Sequence, residues 1–262
     1  WRLNNARHDE AAWVRLRSEI KMAKWMAGRD PGNAVWANAF ADAQSTITGT
    51  DITTTAASLV ERVEAILKPF SNAAKKFKVH CVGHAHIDMN WMWGWPETVV
   101  STLDSFRTVL ALMEEFPSFR FSQSQISVYE ITRKFDPELF KRICGRVKAG
   151  QWEVTATHWV ENDMNLVSGE ALVRHLLQAR AYTKEHFGLS PEDANICWVP
   201  DSFGHAATQP NYLARGGIRR VYLHRPGYER QPVPEAFWWI GTDGSRVIVK
   251  NDQRRAYNCV IE

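Results

Sequence analysis

The sequence predicts an α/β domain built on a parallel sheet with crossover helices, preceded by a helical leader. Three observations carry this. Residues 1–75 show helical spacing and no strand. From Lys78 onward, short apolar runs alternate with longer amphipathic ones. Every candidate strand then empties into a polar loop on its carboxyl side, the face on which parallel α/β folds build their sites. A barrel and an open doubly wound sheet both fit the alternation. At 262 residues the chain suffices for one large domain, or a large domain with a small attachment.

In the leader, Trp13, Leu16, Ile20 and Ala23 recur at helical spacing, as do Leu59, Val63, Ile66 and Leu67. Between them Ser45–Thr55, rich in Thr, Ser and Gly, reads as a loop with Asp51 or a nearby Thr as a cap. Pro69 ends the second helix. Val79–Val82 reads as the first strand, and a helix after Pro96 buries Val99, Leu103, Phe106, Leu110 and Met113. Phe119–Ser122 is a second strand, followed by helical material to Gly150. Trp152–Thr155 is a third strand and Glu170–Phe187 a clear helix. Ile196–Val199, the short helix Pro210–Arg215 and Val221–Leu223 follow. Phe237–Ile240 and Val247–Val249 flank the turn Gly241–Gly244 and read as a hairpin.

Hydrophobic residues at 45% and charged residues at 23% are ordinary for a globular domain. A net charge of +3, with no Lys/Arg-rich tract, argues against a nucleic-acid partner. No apolar run approaches the roughly 18–20 residues of a membrane helix. The four cysteines are widely spaced; Cys81 and Cys197 lie in apolar strand-like runs and read as buried free thiols. That favours a reducing, cytoplasmic compartment, with a processed signal peptide left open, and homo-oligomerisation is left open too. The twelve tryptophans suit sugar stacking, although composition alone favours a large aromatic core.

The loops hold the chemistry. His84, His86 and Asp88 stand at alternate positions of an extended segment and so share one side. Imidazole nitrogen with carboxylate oxygen suits zinc or a similar divalent ion, ahead of a hydrogen-bonded polar strand end. One histidine can ligate while the other supports it or meets substrate. In Cys197-Trp-Val-Pro-Asp-Ser-Phe-Gly-His205, Pro200 ends the strand and puts Asp201 at its carboxyl end. That stretch alone does not choose between a catalytic carboxylate and a helix cap. Glu161 and Asp163 are candidates for acid or sugar-binding roles, with a solvated loop carboxylate the bland reading, favoured for Glu161.

The run Val82-Gly-His-Ala-His-Ile-Asp-Met-Asn-Trp-Met-Trp93 resembles the first signature of glycoside hydrolase family 38, the α-mannosidases, and Trp198–His205 resembles its nucleophile signature. Gly150–Val154, Trp159–Asn165 and Gly169–Arg174 fall between them, and Trp238–Val247 resembles a further family segment. The resemblance implies a distorted barrel of seven parallel strands, here a partial catalytic domain over 76–262 behind a leader of bacterial type over 1–75. It implies a retaining α-mannosidase acting on terminal α-mannosides, with a divalent metal, usually Zn²⁺. On it, His86, Asp88 and Asp201 hold the metal and Asp201 is also the nucleophile. Trp91 stacks beside the sugar, with Phe203, Arg225 and Asp163 near it. The resemblance also implies a further histidine ligand and a general acid from later segments, and more domains after them. The rivals are a metal-dependent polysaccharide deacetylase, whose His-x-x-x-His pair is not found, and an inactive glycan-binding barrel.

Overall fold

The computed structural model describes residues 2–49, 56–78, 80–225 and 234–252. The chain divides into two compact units, Trp1–His80 and Cys81–Cys259. In the first, α1 (Arg2–Arg29), α2 (Ala34–Thr48) and α3 (Ala56–Leu67) share a core that includes Leu16, Ala23 and Met26, Ala39 and Ala43, Leu59 and Val63. Helix α2 departs from the sequence reading, which saw two helices and a loop from Ser45. Asn33 caps it, its Oδ1 accepting from the Trp36 N–H at 3.2 Å. The Thr46 and Thr48 hydroxyls donate back to the Asp42 and Gln44 carbonyls, so these polar residues are satisfied inside the helix. Asp51 lies outside the described residues. Pro69 does end α3: it sits in a 3₁₀ turn, Lys68–Phe70, before the short α4 (Ser71–Ala74).

The second unit runs β1 (Gly83–His84), α5 (Trp95–Glu115), β2 (Phe121–Gln125), α6 (Ile126–Phe135), α7 (Pro137–Lys148), β3 (Trp152–His158) and α8 (Gly169–Phe187). Then come β4 (Ile196–Val199), α9 (Gln209–Arg215), β5 (Arg220–Leu223), β6 (Ala236–Ile240) and β7 (Arg246–Asn251). The alternation of strand and helix is as expected, and so is the antiparallel β6–β7 hairpin. Its turn closes on Gly244 at φ 81°, a left-handed position that suits glycine. The first strand differs. The ladder begins at Gly83, not in the apolar run before it; Val79 is outside the described residues. The helical stretch to Gly150 breaks at Asp136-Pro137, where Asp136 Oδ1 accepts from the Leu139 N–H at 3.0 Å and starts α7.

The seven described strands form two sheets, in the orders β1-β2-β3 and β4-β5-β7-β6. All pairings are parallel except β6 on β7. A parallel α/β fold is therefore present, but these strands are not one closed ring of seven parallel strands. Phe106, Leu110 and Met113 of α5 pack with Ile126, Tyr129 and Ile143 on the first sheet. Cys197, Val199, Val221, Val247 and Val249 form the second core. Helix α8 serves both, with Ala179 and Tyr182 in the first and Leu172 and Leu176 in the second. Trp152 is fully buried and its Nε1 donates to Tyr129 Oη at 2.9 Å, the core role that composition favoured for the tryptophans. Trp91, Trp95 and Trp238 stand exposed. Cys197 is buried as expected, whereas Cys81 is exposed; Cys259 lies outside the described residues.

Candidate active site

Strand β1 has only two residues, so the backbone from Ala85 to Asp88 has no ladder to hold it. The end of β2 supplies the missing partners. Gln123 Nε2 donates to the Ala85 carbonyl at 2.9 Å, and Gln125 Nε2 to the Ile87 carbonyl at 2.8 Å. Both glutamines are buried, so these amides act as side-chain rungs that extend the sheet by one polar tier. They give the polar end of β2 a structural task, which is to set the position of the loop that follows β1.

Beyond that tier, His86 Nε2 lies 3.1 Å from Asp88 Oδ1 and 3.7 Å from Asp201 Oδ2. Ligand atoms of His86, Asp88 and Asp201 all lie within 4.8 Å of one another. One imidazole and two carboxylates, converging this closely, form a donor set of the kind that holds a divalent cation. His86 is 11% exposed and Asp88 37%, so the cluster is walled on one side and open on the other. Burial would lower the His86 pKa, but the Glu161 and Asp88 carboxylates outweigh it and raise the value to about 9. His84 is not in this cluster. Its Nδ1 pairs with Ser122 Oγ at 3.1 Å and its ring lies against Trp198. Burial, helped by the charge of His86, pushes His84 down to about 4 and keeps it neutral.

Asp201 is positioned from β4 and from the loop after β3. The two loops are zipped together by a Met164–His205 bridge and by Ser202 Oγ donating to the Asn162 carbonyl at 3.0 Å. Gly204 takes no side chain because the Asn165 amide occupies the space a Cβ would need. Glu161 completes the join. Its side chain is only 4% exposed, its Oε2 lies 2.8 Å from His86 Nδ1, and its Oε1 accepts from the Asp201 and Ser202 N–H groups at 2.5 and 2.9 Å. The reading of Glu161 as a solvated loop carboxylate is thus overturned. A carboxylate in the Trp159–Asp163 run just past a parallel strand, level with His86 and Asp201, was the available signal.

The remaining candidates divide. Arg225 Nε donates to Asp201 Oδ1 at 2.5 Å, and its guanidinium lies over the Phe203 ring at 5.0 Å. Phe203 and Trp91 are 68% and 67% exposed, apolar faces free to meet a ligand. Trp91 follows Asn90, which has a left-handed backbone at φ 55°. Thr98 holds that turn, its hydroxyl taking the Asn90 and Trp93 N–H donors at 3.2 and 3.1 Å. Asp163 is exposed, and its Oδ1 accepts from the Asn165 and Leu166 N–H groups of its own loop.

Residues 76–260 match the glycosyl hydrolases family 38 N-terminal domain. The chain is 33% identical over 189 residues to alpha-mannosidase G of Dictyostelium discoideum, covering 71% of this chain and 17% of that protein. It is 38% identical over 173 residues to human alpha-mannosidase 2C1, covering 65% of this chain and 16% of that one. The chain therefore spans about a sixth of the length of these curated relatives. An alpha-mannosidase structure from Enterococcus faecalis V583 superposes with a TM-score of 0.58 at 21% identity, over 65% of this chain and 19% of that one, a likeness of fold. No helix among the described residues is long and apolar enough to cross a membrane. The chain belongs to glycosyl hydrolase family 38, of which residues 76–260 are the N-terminal domain.

Proposed function

We propose that the full-length protein is a retaining, metal-dependent α-mannosidase and that this chain carries its nucleophile and most of its metal ligands. The observation that carries the reading is the convergence of His86, Asp88 and Asp201 in a chain of this family. The Dictyostelium discoideum and human relatives bear the name alpha-mannosidase. The imidazole and two carboxylates fit a divalent ion, zinc by the mixed nitrogen–oxygen character of the set. When bound, such an ion supplies a charge that can chelate sugar hydroxyls and orient the ring. The reading extends to a leader over 1–75, a partial catalytic domain over 76–262 within a distorted seven-stranded barrel, and a cytoplasmic location.

The chain's own groups then have distinct tasks. The Asp201 carboxylate attacks the anomeric carbon as the glycosidic carbon–oxygen bond breaks, and the leaving oxygen takes a proton from an acid beyond the residues assigned here. Arg225, held on Asp201 at 2.5 Å, aims the nucleophile. The exposed faces of Trp91 and Phe203 stack on the pyranose, and Asp163 offers a hydroxyl contact at the rim. The test is hydrolysis of an aryl α-mannoside by the full-length protein, with the first-formed mannose followed by NMR. The α-anomer is expected first. Initial β-mannose, or no turnover on any α-mannoside, would overturn the reading.

A further inference from the structure

We propose that Glu161 is the positioning residue that makes His86 a metal ligand, by fixing the ring's orientation and tautomer, while its other oxygen fixes the turn that carries Asp201. This rests on the metal reading above and names a residue that reading does not use. Glu161 Oε2 lies 2.8 Å from His86 Nδ1, and Oε1 accepts from the backbone N–H groups of Asp201 and Ser202. Its own N–H donates to Gln125 Oε1 at 3.0 Å, so the backbone beneath the carboxylate is pinned as well. One buried side chain therefore touches two separate loops that contribute to the cluster.

The chemistry follows from the donor inventory. An ionised carboxylate only accepts, and a neutral imidazole carries one N–H. With Glu161 at Nδ1, the proton sits on Nδ1 and the lone pair is left on Nε2. That is the nitrogen facing Asp88 and Asp201. A carboxylate behind a ligating histidine works in this manner in metal sites generally. If Glu161 served only to hold the Asp201 turn, a glutamine would replace it, since its amide oxygen can accept from the same two N–H groups. That oxygen placement turns the glutamine NH₂ toward Nδ1, which must then accept. The ring proton moves to Nε2 and blocks the lone pair.

The experiment measures zinc affinity by chelator competition, and the metal-free Tm, in the full-length protein and in Glu161→Gln and Glu161→Ala. The Gln variant is expected to lose about 10–100-fold in affinity while its metal-free Tm falls less than that of Ala, which gives up the contacts to the Asp201 and Ser202 N–H groups as well. A Gln variant with unaltered zinc affinity overturns the proposal, leaving Glu161 a structural residue. Should Gln fail to fold, Glu161→Asp carries the test. A carboxylate one methylene shorter cannot reach the ring and both amides, so affinity falls at least about 10-fold; unchanged affinity overturns the proposal. If the unaltered protein binds no zinc, the metal reading falls first and this inference falls with it, an outcome distinct from a variant that binds normally.

Discussion

Two histidines that are largely or wholly buried, one just past β1 and one at the end of β3, have opposite surroundings. His158 closes β3 and is 2% exposed, with the Thr157 hydroxyl at 3.0 Å, Tyr212 Oη at 3.2 Å and the Cys197 thiol at 3.9 Å. Burial, with a smaller contribution from His175, pushes it down to about 3. His86 is also mostly buried, yet Glu161, Asp88 and Asp201 crowd its ring and its pKa is raised to about 9. Burial among hydroxyls and a thiol yields a neutral core histidine. Burial among three carboxylates yields a place that calls for positive charge, whether a proton or a divalent ion. The partner groups, rather than the histidine or its depth, separate framework from site.

The largest expected effect is on the site side. Asp201→Ala should lower turnover of an aryl α-mannoside at least about 1,000-fold with little change in metal-free Tm; retention of more than a few per cent of activity would remove the nucleophile assignment. Next, His86→Ala and Asp88→Ala should lose bound zinc on elemental analysis. His158→Ala should keep zinc and lose about 2–4 kcal/mol of stability through the cavity and the unpaired hydroxyls left behind. If the two losses were exchanged, the contrast between the histidines would collapse. A smaller effect is expected for Trp91→Ala, which should keep the metal and raise KM about 10-fold through lost stacking. An unchanged KM would show that the exposed indole does not meet substrate.

The smallest effect sharpens the framework side. The folded pKa of His158, about 3, lies below the ordinary histidine value, so the unfolded chain binds the proton first. Its contribution to stability is complete above about pH 6.5 and is lost as pH falls from there toward 3. Metal-free protein should therefore lose stability on acidification, and His158→Asn should flatten the slope by up to about 1.4 kcal/mol per pH unit. Denaturant midpoints between pH 7 and 4 measure it, and equal slopes would place His158 outside this account.

What could be read from the sequence follows the reach of each interaction. Strand β4, helices α5, α8 and α9, and the hairpin announce themselves through local periodicity, and their positions match within a few residues. His86 and Asp88 stood out just past an apolar run, whereas the stretch around Asp201 left a catalytic carboxylate and a helix cap both open, and the family resemblance chose between them. Helix α2 was not, since its polar end is satisfied by hydroxyls bonding back to its own carbonyls. Glu161, Gln123 and Gln125 were read wrongly or left without a role for a different reason. Their partners in other loops lie from 36 residues away to 75, the separation of Glu161 from His86, and only the folded sheet brings them together. Trp152 and Trp91 are alike in composition, and only burial separates the core ring from the exposed one.

The most direct test of the central claim is metal removal from the full-length protein. Exhaustive chelation should abolish hydrolysis of an aryl α-mannoside, and added zinc should restore it in the unaltered protein but not in His86→Ala. A chelated, demonstrably metal-free protein that turns over at the original rate would contradict the account.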